Sequence, residues 1–298
     1  MPYETIMLIA AFVLALFVGG LTGVFGVGGG FLLTPALMIF LKVPSAIAVG
    51  TGLLVVWVTS SVGLFRRRGS DTVDYKLAIL VSAGSAVGVL TGQRLLQCLK
   101  VLPPVRLAGR EQDVLEYVLL WIFLILLCWV AGLLYFDYRR SHAAGAVLHA
   151  VVAPFTRIHL GPRAEFATVA AGPLSVPALL GLGVGIGILI GLLGVGGGIL
   201  WLPALLYLVG QRASSAAGTS LMIVWVASLI GNISNVMHGN VDWILCGVML
   251  AGGVSGSWYG THIGLRVDGV RLRFYFIYVI LAAIVIVAGR VAVMTVGR

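Results

Sequence analysis

The sequence predicts an all-α polytopic membrane protein made of two homologous repeats. Three observations carry that expectation. The 298-residue chain is 60% hydrophobic and only 10% charged, with a mean hydropathy of +1.11, whereas a soluble domain carries about 25% charged residues. Apolar runs near 20 residues recur along the chain, enough to cross a hydrocarbon core of about 30 Å, and none shows the alternation of a membrane β-barrel. Third, residues 26–37 (GVGGGFLLTPAL) return as residues 194–205 (GVGGGILWLPAL). The offset of about 168 residues holds without a gap from Gly19 to Gly92, with roughly 28 of 74 positions identical.

Five apolar elements are expected in each half. The first half gives 6–24, 28–41, 45–65, 75–96 and 114–136; the second gives 175–193, 196–209, 213–234, 241–265 and 274–293. The first run follows a start with Glu4 and no Lys or Arg, so it is read as a retained span and not a signal peptide. The second run of each half is too short to cross alone: 28–41 reaches about 20 Å as a helix. It directly follows a glycine break, so each half should hold a Gly-broken helical hairpin plus about three spanning helices. The repeats are then residues 1–136 and 173–298. Between them, 137–172 is a polar, basic linker with Pro154 and Pro162, with a surface helix expected over 143–152.

Parity makes the repeats inverted if the hairpin enters and leaves on one side. Arg66, Arg67 and Arg68 follow the third element, while the matching loop holds only His238, as an inverted pair under positive-inside bias would have it. Arg94, Lys100, Arg106 and Arg110 argue the other way, and a purely re-entrant second element would make the repeats parallel. The net charge of +9 sits in such loops, so lipid headgroups, not nucleic acid, are the expected partner. Cys98, Cys128 and Cys246 lie far apart with no metal spacing and read as reduced packing residues.

The glycine turns are the candidate site. Consecutive glycines permit positive φ and bare amides. Opening a short helix, they present unpaired N–H groups at its positive end, which suits an anion. This singles out Gly28, Gly29, Gly30 and Thr34, with Gly196, Gly197 and Gly198 in the second copy. Gly50-Thr51 recurs as Gly218-Thr219 with Ser220 next, and hydroxyls inside a span either bind anion oxygens or bond back to their own helix. Trp57 and Trp225 follow on the same helices. Arg94 and Asn232 complete the candidates: one a cation near a helix end, the other an amide without a counterpart in the first copy.

Other repeated features read as structural. Gly84, Gly88 and Gly92 match Gly252, Gly256 and Gly260, a four-residue stripe for close helix contact. Asp74 and Asp242 match at helix starts and read as caps. No carboxylate lies mid-span, which disfavours a carboxylate proton relay and fits an anionic substrate. Gly183, Gly185 and Gly187 do not make a dinucleotide fingerprint, since neither the spacing nor the following acidic residue fits.

The paired GxGGGxxxxP turns, each followed by Gly-Thr, resemble the sulfite exporter TauE/SafE family over nearly the whole chain. That resemblance implies a secondary transporter of sulfur oxyanions or organosulfonates such as sulfite, sulfoacetate or thiosulfate, in a bacterial inner membrane. It carries function to the glycine turns, Pro35, Pro203, Thr51, Thr219 and Ser220; Gly52 stands where the second copy has Ser220. No cofactor or metal is expected; the expected partners are a small anion, lipid and a second copy of the chain. The alternatives are a passive anion channel and an integral-membrane enzyme. The latter lacks any HExxH, GxSxG or carboxylate pair in the sequence.

Overall fold

In the computed structural model the described residues are 5–25, 30–66, 73–107, 110–143, 160–169, 172–264 and 269–296. They form α1 (Thr5–Phe25), α2 (Gly30–Ile39), α3 (Ser45–Arg66), α4 (Tyr75–Lys100), α5 (Val114–Ala143), α6 (Val176–Leu193), α7 (Gly198–Pro203), α8 (Ala213–Met237), α9 (Trp243–Gly264) and α10 (Gly269–Val296). Seven of these helices are long and apolar enough to cross a membrane. The all-α polytopic class and the two short helices after the glycine breaks are as expected. Two small antiparallel ribbons were not foreseen: β1 (Val105–Leu107) with β2 (Arg110–Gln112), and β3 (Arg163–Ala164) with β4 (Leu174–Ser175). α5 also runs on to Ala143, into the segment expected to be linker. The rest of the expected 143–152 helix lies outside the described residues.

Local chemistry sets the helix ends. Asp74 caps α4 through Leu77 N at 3.0 Å, and Asp242 Oδ1 accepts from Ile244 N and Leu245 N, so the two matched carboxylates do cap. Pro203 ends the regular ladder of α7, which continues as a wider π-helical turn over Ala204–Val209. A proline has no N–H to give the ladder.

Glycine stripes build the core. A Cβ on Gly84, Gly88 or Gly92 would fall on the carbonyls of Leu180, Val184 and Ile188 of α6. On Gly252, Gly256 or Gly260 it would fall on the carbonyls of Phe12, Leu16 and Gly20 of α1. The three partners in one set are the three in the other plus the repeat offset. Both numberings rise together, so α1 lies parallel to α9 and α4 parallel to α6, backbone against backbone. α9 is 22 residues long, about 33 Å, and is held along α1 turn by turn. Gly183, Gly187 and Gly191 form the answering face on α6, a stripe of the same spacing that the sequence reading passed over.

The equivalent helices α3 and α8 run antiparallel. Gly63 faces Leu221, Trp57 packs on Trp225 with centroids 6.2 Å apart, and Gly231 faces Leu53. The paired tryptophans are related by the repeat offset, so they sit where the two halves exchange. Their polar ends differ: Trp225 Nε1 donates to Ser61 Oγ at 2.8 Å, but the matching acceptor for Trp57 is Leu229, which has none. Elsewhere, Arg290 of α10 donates through Nε and a terminal nitrogen to Glu116 at the start of α5, the shorter contact at 2.9 Å. Both side chains are partly solvated, so Arg290→Ala should cost about 1 kcal/mol, read as a lower melting temperature of purified protein. Glu116→Ala should match it, and the double variant should cost no more than either alone.

Candidate functional site

The site is built where the breaks in the helices meet. The second turn uses three left-handed glycines: Gly194 at φ 67°, Gly196 at 69° and Gly197 at 82°. Gly194 closes α6 by donating to Ile190 O; Gly197 opens α7, its carbonyl accepting from Leu200 N and Trp201 N at 2.9 and 2.8 Å. The amides of Gly198 and Ile199, first in the helix, have no carbonyl one turn behind them. Residues 194–200 are all buried.

The start of α2 rests on this turn. Gly30 touches the Val195 backbone, and Thr34, fully buried, donates to Gly194 O at 3.4 Å. Val56, near the midpoint of α3, lies against both Gly30 and Gly196. Thus the second glycine turn and the start of the first short helix come together at the middle depth of a spanning helix. Gly28 and Gly29 lie outside the described residues. Val56 was not singled out from sequence; it is repeated as Val224, but an apolar residue in a span carries no signal.

The hydroxyl motif is flanked by residues that border the turn, Val49 against Gly194 and Gly52 against Thr34, but its threonines bond across to the other repeat. Thr51 Oγ1 accepts from Asp242 N at 3.1 Å, and Thr219 Oγ1 accepts from Asp74 N at 3.1 Å and Gln211 Nε2 at 2.9 Å. Each threonine therefore braces the start of the fourth helix in the other repeat, a swapped pair of identical contacts. Thr168 adds to one brace, donating to Asp74 Oδ2 and accepting from Gln211 Nε2. Removing the Thr219 hydroxyl would leave the buried Asp74 N–H unpaired and take one of two acceptors from Gln211 Nε2, at a cost of about 2 kcal/mol. Thr219→Val should accordingly destabilise the purified protein more than Thr51→Val, as measured by thermal unfolding.

The remaining candidates have other partners. Ser220 donates to Ala217 O within its own helix. Asn232 reaches Leu53 O at 3.4 Å, and its Oδ1 has no partner among the described residues. Arg94 is exposed on α4, away from the buried turn. Asn235 bonds Gly231 O and accepts from Asn240, whose Oδ1 takes Lys100 Nζ at 2.8 Å.

Comparison with known proteins agrees with this architecture. Residues 11–287 match the family described as Sulfite exporter TauE/SafE. The chain is similar to the "Probable membrane transporter protein YjnA" of Bacillus subtilis (strain 168), 27% identical over 95% of this chain and 98% of that protein. It is also similar to the "Probable membrane transporter protein YunE" of the same organism, 26% identical over 93% and 94%. A "Probable membrane transporter protein" of Xylella fastidiosa (strain Temecula1 / ATCC 700964) is 37% identical over 34% of this chain and 40% of its own. No solved structure matches the chain.

Proposed function

The chain belongs to the sulfite exporter TauE/SafE family, a family of multi-pass membrane transporters, and from that premise we propose that it carries small sulfur oxyanions or organosulfonates by alternating access across a bacterial inner membrane. The observation that carries the reading is the meeting of the second glycine turn with the start of α2 at Val56. Broken helices that meet at mid-depth are where such carriers hold substrate. The amides of Gly198 and Ile199 point from a helix start, so they donate to oxygen with the positive dipole end behind them. Gly28, Gly29 and Gly30 would supply the matching start in the first repeat. Thr51 and Thr219 act as braces in this reading, not as ligands.

The repeats are inverted in this proposal. Antiparallel α3 and α8 support it, since a parallel duplication would set equivalent helices side by side in one direction. Cysteines placed at Arg67 and at His238, in a background freed of the exposed Cys98 and Cys128, should react with an impermeant maleimide from opposite faces. Reaction of both from one face would overturn the inversion.

Binding tests the site. Purified protein titrated with sulfite, sulfoacetate and thiosulfate should bind at least one of them, with chloride far weaker. Thr51→Val should keep its affinity within about twofold if the hydroxyl serves only to accept from Asp242 N at the brace. A loss of tenfold or more in that variant, worth about 1.4 kcal/mol, would make Thr51 a ligand after all.

A further inference from the structure

The two halves differ in one buried place. Thr22 of α1, Thr59 of α3, and Ser257 and Thr261 of α9 line a small space shared with Gly63 and Leu221, with room for about one water-sized occupant. Thr22 and Thr59 also border an adjoining space of similar size that reaches Leu33 of α2 and Val56. All four hydroxyl residues are at most 4% exposed. In the other half the repeat offset turns Thr22 into Ile190, Thr59 into Ala227, Ser257 into Val89 and Thr261 into Gln93. There Gln93 fills the equivalent region, donating to Gly191 O at 2.9 Å and lying 3.8 Å from where a Cβ on Gly231 would be. One half is plugged; the other keeps a space rimmed by oxygen.

The hydroxyls of that space are set to accept. Thr22 donates to Val18 O at 2.8 Å, Thr59 to Val55 O at 2.9 Å, and Thr261 to Ser257 O at 2.7 Å. With their protons spent on their own helices, these oxygens offer lone pairs to a neighbour. Ser257 Oγ is 1% exposed and has no partner among the described residues, a buried polar group that calls for one. No lining side chain ionises near neutral pH, so the space cannot hold a proton on a residue. Hard monovalent cations take such neutral oxygens.

We propose that this cavity binds a sodium ion that couples to the anion. Thr59 stands one helical turn from Val56, the residue against both Gly30 and Gly196. A cation there would offset the charge of an anion at the glycine turn, and the charge-matched pair would be favoured over either ion alone. By linkage each ion must then raise the other's affinity by the same factor. The coupling rests on the anion-carrier reading, whereas the cation site stands on the cavity alone.

Two measurements separate them. First, purified protein without substrate is melted in sodium chloride and in choline chloride at equal ionic strength. Sodium should raise the melting temperature of the wild type and of Thr59→Ser, but not of Thr59→Val or Ser257→Ala. Equal melting of the wild type in both salts means a hydration space only and overturns the site. Second, sulfite, sulfoacetate and thiosulfate binding is titrated in both salts. Sodium should tighten it about tenfold, with the effect lost in Thr59→Val and restored in Thr59→Ser. Binding that is equal in both salts overturns the coupling and leaves the anion reading standing. If none of these anions binds in either salt while the sodium shift in melting persists, the anion reading fails and the cation site survives.

Discussion

Gly256→Ala should strip the membrane of most folded protein. A Cβ there falls on the Leu16 carbonyl and within 2.7 Å of Gly20 N, and neither is a side chain that can swing aside. α1 and α9 would have to part along their whole contact. Overpacking of this kind costs about 1–3 kcal/mol where side chains can adapt, and backbone cannot. Gly247 lies on the same helix with nothing within 4 Å of its Cβ position. There the same substitution should be harmless or stabilise by up to about 1 kcal/mol, because alanine is the better helix former. Fluorescence-detected size-exclusion of the two variants gives the comparison. Equal yields would mean that the stripe does not hold the helices together.

Gly197→Ala should abolish transport while leaving protein in the membrane. Its φ of 82° is a conformation that an L side chain adopts only with strain of about 1–2 kcal/mol. The new methyl would press on Ile190 Cγ1 at 2.6 Å and Trp201 Cδ1 at 3.1 Å, and so reorient the amides that open α7. Gly239, at φ 66° with no atom within 4 Å, is the control. Gly239→Ala carries similar backbone strain without a contact to the turn and should transport normally. Uptake per folded molecule should therefore fall at least tenfold in the first variant and stay near wild type in the second. If both lose activity alike, strain and not the turn is responsible.

Much of this architecture could be read from the chain because it is repeated. The duplicated glycine-proline breaks announce two short helices. Asp74 and Asp242 cap because each stands before an apolar run, and stripes spaced by four mark close contacts. What stayed hidden depends on pairs of elements. The recurrence of Thr51 beside glycine does not announce its contact with the Asp242 backbone amide, 191 residues away. The Arg290–Glu116 pair joins two spans whose order in space no periodicity encodes. The hydroxyl-lined cavity is harder still. Its four residues are ordinary singly, and their meaning lies in what the other repeat has in their place.

Flux tests the central claim most directly. Proteoliposomes containing the purified protein should take up labelled sulfite, sulfoacetate or thiosulfate with saturation, at rates far above protein-free vesicles. Uptake should fall to the protein-free level with Gly197→Ala reconstituted at equal density. Absence of saturable uptake for every one of the three anions, or wild-type uptake by Gly197→Ala, would contradict an anion carrier built on the glycine turn.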